Sequence, residues 1–505
     1  WYMGLRDIQQ HQHTIRRNFP VLGRMRYLLE MIRPEIRQYF IESDSESVPF
    51  DRNHRVVAYR RSKGITAAMP FGTRRDASAV GYEWANHSLY PTTLSEEDQR
   101  VVIGANNPQW CSQPYSSSLL NISAMSYGAL SDRAILSLSH GAKISNCYMN
   151  TGEGSMSKFH KEGGADLVWN VGTAYFGCGK FKEGSSERVF DPDLFAENAK
   201  YENLKMIEIK LSQGAKPAHG GMLPKEKISK DIAEARNLEY PVEQDCLSPA
   251  RHNAFSNPTE LSYFMDQLRS LSNGKPVGIK LCLGQPEEFC ALVRAFLDTG
   301  IHPDFITVDG GEGGTGAAPP EFSDSVGTPL AEALSVVHAV LVGVGLRDPN
   351  DKSKSKVALI CSGKVLTGFS MYKNFALGAD VCNAARAFLF SLGCIQALKC
   401  NTNTCPTGIT TQDPKLTWGL DPRYKQVRVA NFHRATFKAC FELMEATGME
   451  SWATIHPRHV MRRVSLESCK SYHEIYEHLK VEKGELLEAK GPSRLLRLWE
   501  TNTFS

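Results

Sequence analysis

The sequence predicts an α/β protein built on a TIM (β/α)8 barrel, with helical extensions before and after it. Three observations support this prediction. The chain of 505 residues is long enough for one large barrel with extensions. About eight short apolar runs follow one another between residues 119 and 389. Helical patterns alternate with those runs, which is typical of parallel strands joined by helical crossovers. An open, doubly wound sheet is the alternative.

The composition is that of a globular protein. Hydrophobic residues make up 42% of the chain and charged residues 22%, which excludes collagen-like and disordered chains. Lys and Arg outnumber Asp and Glu by only 58 to 55, so the charge gives no indication of a nucleic-acid partner. The 13 cysteines are an odd number, which favours reduced thiols in the cytoplasm over a disulfide framework.

The chain is expected to have three parts. Residues 1–115 should form a mainly helical extension, because arginines such as Arg16 and Arg24 alternate with apolar residues at helical spacing. The barrel is expected over residues 116–415 and a helical extension over residues 416–505. No apolar stretch reaches the roughly 18 to 20 residues of a membrane-spanning helix. We expect a cytoplasmic protein, with membrane association only through a segment that would precede Trp1.

Short apolar runs and amphipathic stripes place the elements of the barrel. Two stripes predict helices, one beginning near Leu261 and one running from Pro286 to Gly300, where proline at the start and glycine after the end are the expected signals. Six runs predict strands clearly: 120–124, 206–209, 277–281, 305–308, 357–361 and 381–384. Two weaker runs, 144–149 and 242–246, complete the predicted set.

The residues after the apolar runs carry the chemistry of a binding site. Active sites of TIM barrels lie at the carboxyl ends of the strands. Lys216 and Lys280 are expected there as half-buried cations that need an anionic partner or an electron-rich ring. Loops after the seventh and eighth strands commonly hold a phosphate, so Gly363 and Arg386 predict a phosphate-bearing cofactor. The glycine-containing segments at strand ends are 125–128, 150–154, 213–221 and 309–316.

Cys394, Cys400 and Cys405 form the most specific local motif, and Pro406 follows the last of them. Zinc would normally require a fourth ligand and a tighter cysteine spacing. Iron–sulfur clusters take cysteines at irregular spacings and often have a proline after the last one. The motif therefore favours a cluster over three buried thiols. A 3Fe-4S cluster is expected, unless a remote cysteine joins to make a 4Fe-4S cluster.

Together these motifs resemble the FMN-binding synthase domain of glutamate synthase, and in particular the short members that lack the amidotransferase half. The resemblance runs from about residue 123 to residue 412, which is more than half of the chain. The cysteine spacing and the glycine-rich loops occur in the family's order. The matching segments are 122–131, 151–154, 213–217, 311–316 and 394–412.

The resemblance implies FMN at the barrel mouth and a 3Fe-4S cluster on the three cysteines. It also implies reduction of a 2-imino acid, made from 2-oxoglutarate and ammonia, to glutamate. Glu153, Lys216 and Arg236 match the family residues that handle substrate and ammonia. Lys280 matches the lysine that stabilises negative charge on the reduced flavin. The implied cofactor-binding residues are Ala124, Met125, Ser126, Asn170, Lys280, Gly310, Gly311, Gly363, Ala385 and Arg386.

Two departures from the family pattern bear on the substrate. Met222 stands where the family has a substrate-contacting Gln, and His219 replaces an acidic residue. A thioether in place of an amide favours a more apolar or N-substituted substrate. Synthesis of N-methylglutamate, or another amine oxidoreductase reaction, therefore stays open. The residues after Trp1 offer no nucleophilic cysteine for glutaminase chemistry, so free ammonia, another amine or a partner subunit is expected.

The electron donor is expected to be ferredoxin or a separate reductase, because no Gly-x-Gly-x-x-Gly unit follows a predicted strand. Two further classes stay open. One is an FMN-dependent isomerase or dehydrogenase on the same barrel, which needs no cysteine cluster. The other is a non-catalytic flavoprotein electron-transfer subunit. A homo-oligomer is compatible with each of these hypotheses.

Overall fold

The structure is a computed structural model that describes residues 1–65, 68, 70–95, 99–185 and 187–501. The chain divides into two compact units, Trp1–Val57 and Ala58–Ser505. The first unit contains the predicted basic amphipathic helices. Its buried Asp7 carboxylate accepts from Arg16 at 2.7 Å and from Arg24 at 2.8 Å. Its helices are Tyr2–Gln9, Thr14–Asn18, Gly23–Ile36 and the π-helix Arg37–Ile41, and the helix Arg52–Ser62 leads into the second unit.

The second unit contains a closed barrel of eight parallel strands, which confirms the predicted TIM barrel and excludes an open sheet. Each strand pairs with the strands before and after it along the chain. The strands are β1 Leu120–Ile122, β2 Met149–Asn150, β3 Leu167–Val171, β4 Leu204–Lys210, β5 Val277–Leu281, β6 Phe305–Asp309, β7 Ala358–Ser362 and β8 Val381–Ala384.

Burial of the strands explains why their sequences are nearly continuous apolar runs. In β5 and β6 every residue is buried, as expected for parallel strands that are covered on the outside by helices. The Asn257 side chain caps the helix Pro258–Leu271, and Gly300 ends the helix Pro286–Thr299 with a φ of 69°. The other helices between strands are Asp132–Ile144, Lys158–Gly163, Pro192–Ala199, Lys230–Arg236, Pro320–Ser325, Leu330–Gly343, Gly368–Ala376 and Arg386–Leu392.

Two of the predicted barrel strands are corrected by the structure. The run 242–246 is not a barrel strand, because Cys246–Leu247 pairs with Met222–Leu223 in a separate antiparallel ribbon. The third barrel strand is instead β3, whose five residues are all buried. In the run 144–149 only Met149 belongs to a strand, because Ile144 is the last residue of a helix.

The region after the barrel contains helices and also contributes to a small sheet. The helix Pro422–Ala446 packs along the helix Asp132–Ile144. The strands Val460–Arg463 and Cys469–Ser471 form an antiparallel sheet with Glu83–Ala85. The remaining helices here are Pro414–Thr417, Tyr472–Ile475 and Ser493–Glu500. Within the part of the chain that the structure describes, no helix is both long and apolar enough to cross a membrane.

Candidate active site

A small open cavity lies at the carboxyl ends of the barrel strands. The strands run parallel, so the segments that follow them meet at one end of the barrel. The loops after β2, β3 and β4 contribute most of the wall. Its polar side chains include Glu153, Thr173, Lys210, Ser212, Lys216 and His219.

Glu153 and Lys210 form an ion pair in this cavity. Lys210 Nζ donates to Glu153 Oε2 at 2.9 Å, and the two side chains are 13% and 19% exposed. Burial would raise the pKa of Glu153, but Lys210, followed by Arg236 and Lys216, lowers it below the usual value. Gly221 lies so close to the Glu153 carboxylate that a β-carbon there would collide with it. The glutamate is therefore fixed in position and ionised.

Lys216 and Arg236 are buried cations near this pair. Lys216 is 5% exposed and lines the cavity, and Arg236 is 4% exposed. Among the described residues, neither side chain forms an ion pair. Burial lowers the pKa of Lys216, with Glu153 opposing that effect. Arg236 does not line the cavity; it donates to the Tyr127 carbonyl at 3.3 Å and lies over the Phe176 ring.

The floor of the barrel mouth carries a second set of charges around Lys280. Lys280 Nζ lies 3.3 Å from Asp309 Oδ2, and the same oxygen accepts from the Gly214 backbone N–H at 2.9 Å. Burial would lower the pKa of Lys280, but Asp309 and Glu208 raise it. The buried Glu208 carboxylate also accepts from Asn170 at 2.6 Å. The predicted cation is thus held charged at the end of β5.

Asn170 supplies the test of whether a flavin fits. Its Nδ2 group donates to Glu208, whereas its buried Oδ1 has no hydrogen-bond partner within the described part of the chain. A buried acceptor of this kind costs free energy unless a ligand donates to it. The ring N–H of a flavin is such a donor, and Lys280 supplies the neighbouring positive charge. The residues present therefore fit the flavin ring of FMN.

The predicted phosphate corner is assembled from the loops after β6, β7 and β8. Arg386 Nη2 donates to the Glu312 carbonyl at 2.8 Å, and a β-carbon on Gly314 would lie 2.7 Å from Arg386 Nε. Gly363 has a φ of 151°, in the region that favours glycine. Burial and the nearby Arg386 lower the pKa of Lys364. Two cations and glycine backbone thus meet where a phosphate was expected.

The other expected cofactor residues lie in the same loops. Ala124, Met125 and Ser126 follow β1 and are half-buried. The loops after β1 and β2 pack closely together. A β-carbon added to Gly152 would lie only 2.6 Å from the Ser126 backbone nitrogen. Ala385 precedes the helix that starts at Arg386. The remaining expected residues, Gly310 and Gly311, are buried and donate to backbone carbonyls of Ser362 and Thr328.

The cysteine segment is brought only partly together. Cys400 and Cys405 lie near the buried Lys227, whose Nζ donates to the Cys400 carbonyl at 2.8 Å and to the Thr410 carbonyl at 3.0 Å. Cys394 follows the helix Arg386–Leu392, and its carbonyl accepts a hydrogen bond from the Tyr59 hydroxyl at 2.6 Å. In the described ranges, no three His, Cys, Asp or Glu side chains are grouped as a metal site.

The two residues that depart from the family pattern differ in position. His219 lines the cavity, and its ring packs edge-on against Phe322. Met222 is 48% exposed, pairs with Leu247 in the antiparallel ribbon and is not part of the cavity wall.

Sequence reasoning missed the partners that fix the charges. Lys210 ends β4 and Asp309 ends β6, and each pairs with a residue from another loop. Their signal was the same as that of Lys280, a charged residue at the end of a buried apolar run. The buried Glu208 inside β4 gave a further signal, because a carboxylate in a fully covered strand requires polar partners.

Comparison with known proteins assigns most of the chain to one family. The family model described as a conserved region in glutamate synthase matches residues 87–450. The glutamate synthase large subunit-like protein YerD of Bacillus subtilis is 38% identical over 92% of each chain. The archaeal-type glutamate synthase [NADPH] of Thermotoga maritima is 34% identical over 68% of this chain and 62% of its own length.

The archaeal glutamate synthase [NADPH] of Methanocaldococcus jannaschii is 34% identical over 65% of this chain. The chain spans about three fifths of these archaeal-type relatives, 62% and 59% of their lengths. Among solved structures, a flavocytochrome b2 variant with sulfite bound is 12% identical, with a TM-score of 0.44 and coverage of 96% and 92%. A mandelate oxidase variant with a monooxide FMN adduct is 13% identical, with a TM-score of 0.41 and coverage of 89% and 99%.

Proposed function

Because the chain belongs to the glutamate synthase family, we propose that it is an FMN-dependent oxidoreductase acting on CH–NH2 groups. The proposed reaction joins 2-oxoglutarate, or a related 2-oxo acid, with ammonia or an amine and reduces the resulting 2-imino acid. One observation carries this proposal. Lys216 and Arg236 are buried cations that form no ion pair within the described residues, and they lie near the ionised Glu153.

Two buried cations suit a substrate with two carboxylates. A buried charge is costly unless an opposite charge accompanies it. A dicarboxylate would provide that charge and accept charge-assisted hydrogen bonds. Lys216 lines the cavity, whereas Arg236 lies behind its wall near Glu153. The buried Nε of Arg236 has no hydrogen-bond partner among the described residues and is therefore a donor that a ligand could satisfy. We assign the two residues to binding of the 2-oxo acid.

Glu153 is suited to proton transfer during addition of ammonia. Attack on the 2-oxo carbon forms a C–N bond and requires the nitrogen to lose protons, and loss of water then gives the imine. A fixed carboxylate can accept such protons as a general base. Lys210 keeps Glu153 ionised and oriented, because it donates directly to one carboxylate oxygen.

FMN would lie between Asn170 and Lys280 on one side and the phosphate corner on the other. When bound, FMN supplies the hydride that reduces the imine carbon. Asn170 Oδ1 would accept from the ring, Lys280 would stabilise negative charge on it, and Arg386 would bind the phosphate. The loops with Ala124, Met125, Ser126, Gly310, Gly311, Gly363 and Ala385 would enclose it.

We also propose that Cys394, Cys400 and Cys405 hold a 3Fe-4S cluster, which would supply single electrons. The support is the buried Lys227, 3% exposed, which lies beside two of these cysteines and has no ion pair among the described residues. A buried cation next to thiols complements the negative charge of thiolate ligands. Electrons would come from a ferredoxin or a reductase subunit.

The test is an anaerobic single-turnover assay. The purified holoenzyme is reduced with dithionite, the excess is removed, and 2-oxoglutarate and ammonium are added while flavin absorbance is followed. We expect the oxidised flavin spectrum to return, with one glutamate formed per flavin. No reoxidation with 2-oxoglutarate or with other 2-oxo acids would contradict the proposed reaction.

A second candidate uses an N-substituted amine in place of ammonia, and the His219 ring, which lines the cavity and packs against Phe322, is the observation that favours it. The same assay with methylamine separates the two reactions, because N-methylglutamate differs from glutamate by 14 mass units. Faster reoxidation with methylamine than with ammonium would identify an N-methylglutamate synthase. Reoxidation by neither amine, with flavin and iron present, would support a non-catalytic electron-transfer protein.

A further inference from the structure

His252 lies in the loop 248–257, which joins the antiparallel ribbon to the helix Pro258–Leu271. Its side chain is buried, with 5% exposed. Pro249 and Ala250 of the same loop line the cavity, whereas His252 lies behind them. No step of the proposed reaction uses this imidazole.

One ring nitrogen of His252 completes the hydrogen bonding at the end of β4. The ladder between β3 and β4 ends at the pair Val171–Ile209, one residue before Lys210. The next N–H, that of Leu211, donates to β5, so the Lys210 backbone faces β3. The Lys210 carbonyl lies 2.9 Å from His252 Nε2. Because a carbonyl only accepts, Nε2 is the donor, and the imidazole replaces the missing strand partner.

The other ring nitrogen of His252 is held by Tyr175. Burial lowers the pKa of His252 to about 4, so the ring is neutral near pH 7 and Nδ1 is an acceptor. The Tyr175 hydroxyl donates to Nδ1 at 3.0 Å and accepts from the Ala254 N–H at 3.1 Å. The ring of Phe255 stacks on the imidazole, with 4.9 Å between the ring centroids. The tautomer and the orientation of His252 are therefore fixed.

Tyr175 belongs to the loop after β3, which forms another part of the cavity wall. Its φ is 49°, a conformation that is unfavourable for a non-glycine residue and persists only where the surroundings hold it. In the same loop, Thr173 lines the cavity and its hydroxyl donates to the Pro249 carbonyl at 2.6 Å. The loop after β3, the loop 248–257 and the end of β4 thus meet at His252.

We propose that His252 is a positioning residue that holds Lys210 where it orients the Glu153 carboxylate. This inference rests on the proposed function, in which Glu153 accepts protons. Lys210 Nζ donates to Glu153 Oε2 at 2.9 Å, and this distance depends on where the end of β4 lies. Groups that act on a substrate keep their geometry through supporting hydrogen bonds. His252 supplies that support at the Lys210 backbone.

His433 makes the same kind of bond at the opposite end of the barrel. It is buried, and burial lowers its pKa to about 4. Its Nε2 donates at 2.8 Å to the carbonyl of Leu120, the first residue of β1. The amino ends of the strands lie away from the site, so His433 is the matched control for His252.

The test compares His252→Leu, His252→Gln and the control His433→Leu as holoenzymes. The leucine at position 252 removes both ring hydrogen bonds, whereas glutamine keeps an amide N–H within reach of the Lys210 carbonyl. The pH profile of kcat/KM for 2-oxoglutarate is measured, and crystal structures give the distance from Lys210 Nζ to Glu153 Oε2. If His252→Leu does not fold, Tyr175→Phe takes its place, because it removes only the donor to Nδ1.

We expect His252→Leu to lower kcat/KM at least about fivefold, because a buried carbonyl loses its donor. The decline of kcat/KM on the acid side should move to higher pH, since a weakened contact with Lys210 raises the pKa of Glu153. In the crystal structure the Lys210–Glu153 hydrogen bond should be broken. His252→Gln should keep both the bond and the profile, and His433→Leu should match the unaltered protein.

A fall in kcat/KM with an unchanged acid side and an intact Lys210–Glu153 bond would overturn the proposal, because His252 would then only stabilise the fold. Equal behaviour of His252→Leu and His252→Gln would also overturn it, since the bond to the Lys210 carbonyl would then be without effect.

Failure of this inference can be told from failure of the proposed function. If the unaltered protein converts no 2-oxo acid, the proposed reaction is wrong, and the Lys210–Glu153 distance in the variants still decides the role of His252. If the unaltered protein converts 2-oxoglutarate but that distance is the same in His252→Leu, only the positioning role is wrong.

Discussion

The substrate side of the barrel mouth and the cysteine segment differ in how completely they are assembled. On the substrate side, Lys210 at the end of β4 already contacts Glu153 at 2.9 Å. In the cysteine segment, Cys400 and Cys405 lie near Lys227, and Cys394 follows the helix Arg386–Leu392. No three described side chains are grouped there as a metal site. Strand ends hold side chains at fixed positions, whereas loop residues depend on the bound group to gather them.

The backbone of the two regions shows the same difference. In the cysteine segment, Gln396, Leu398 and Asn403 have positive φ values of 57°, 55° and 60°. Such conformations are unfavourable for non-glycine residues and concentrate at ligand-binding sites. Among the residues that line the substrate cavity, only one non-glycine residue, Ala218, has such a conformation, with a φ of 55°. We therefore expect the cysteine segment to depend on its ligand for order, and the substrate side to keep its geometry without one.

The largest effect is expected from removal of cysteines. Cys394→Ala and Cys405→Ala should each abolish cluster assembly, because a cluster with three protein ligands cannot spare one. Iron analysis and low-temperature EPR of anaerobically purified protein measure this. Cys290→Ala, a buried cysteine in the helix Pro286–Thr299, is the matched control and should keep its iron. Full iron content in Cys394→Ala would show that this cysteine is not a ligand.

The next largest effect is expected at Lys216. Lys216→Met should lower kcat/KM for 2-oxoglutarate about 100- to 1000-fold, because truncating one partner of a buried charge pair costs about 2–5 kcal/mol. Flavin and iron content should stay unchanged. Lys205→Met, at the other end of β4, should change kcat/KM less than about twofold. An equal loss in both variants would contradict the assignment of Lys216.

A change in pH dependence is expected when Lys210 is removed. Lys210 lowers the pKa of Glu153, so Lys210→Met should raise that pKa. The proton acceptor is then lost as the pH falls through the raised pKa, and the decline of kcat/KM on the acid side moves to higher pH. Profiles from pH 5 to 9 measure the shift, with Lys205→Met as the control. Identical profiles would show that Glu153 is not the proton acceptor.

The smallest effect is expected at Met222. Because this side chain is 48% exposed and is not part of the cavity wall, Met222→Gln should change kcat/KM for 2-oxoglutarate less than about threefold. A large gain with 2-oxoglutarate would instead show that the side chain turns into the site when substrate binds. Steady-state rates with ammonium and with methylamine measure the effect on both candidate reactions.

The same contrast explains how far the sequence could be read. Lys280, Gly363 and Arg386 were predictable, because each follows a buried apolar run whose end faces the site. The third strand was missed because Asn170 interrupts its apolar run. The run 242–246 misled because only its last residue, Cys246, lies in a strand, and that strand belongs to the antiparallel ribbon. The Glu153–Lys210 pair could not be predicted from spacing, since it joins residues 57 positions apart.

For the cysteine segment, a role as a set of ligands stays a prediction. Its spacing suggested a cluster, but spacing does not report whether the thiols converge without one. The contact between Lys227 and Cys400 was not predictable either, because the two residues are 173 positions apart and meet only through folding. Long-range contacts of this kind have no signature in a single sequence.

The most direct test of the substrate assignment is a calorimetric titration of oxidised holoenzyme with 2-oxoglutarate and with 2-oxopentanoate, which has the same chain length but one carboxylate. If Lys216 and Arg236 receive two carboxylates, 2-oxoglutarate should bind at least about tenfold more tightly, and Lys216→Met should remove most of that preference. Equal affinity for the two acids, or no binding of either, would contradict a dicarboxylate site at the barrel mouth.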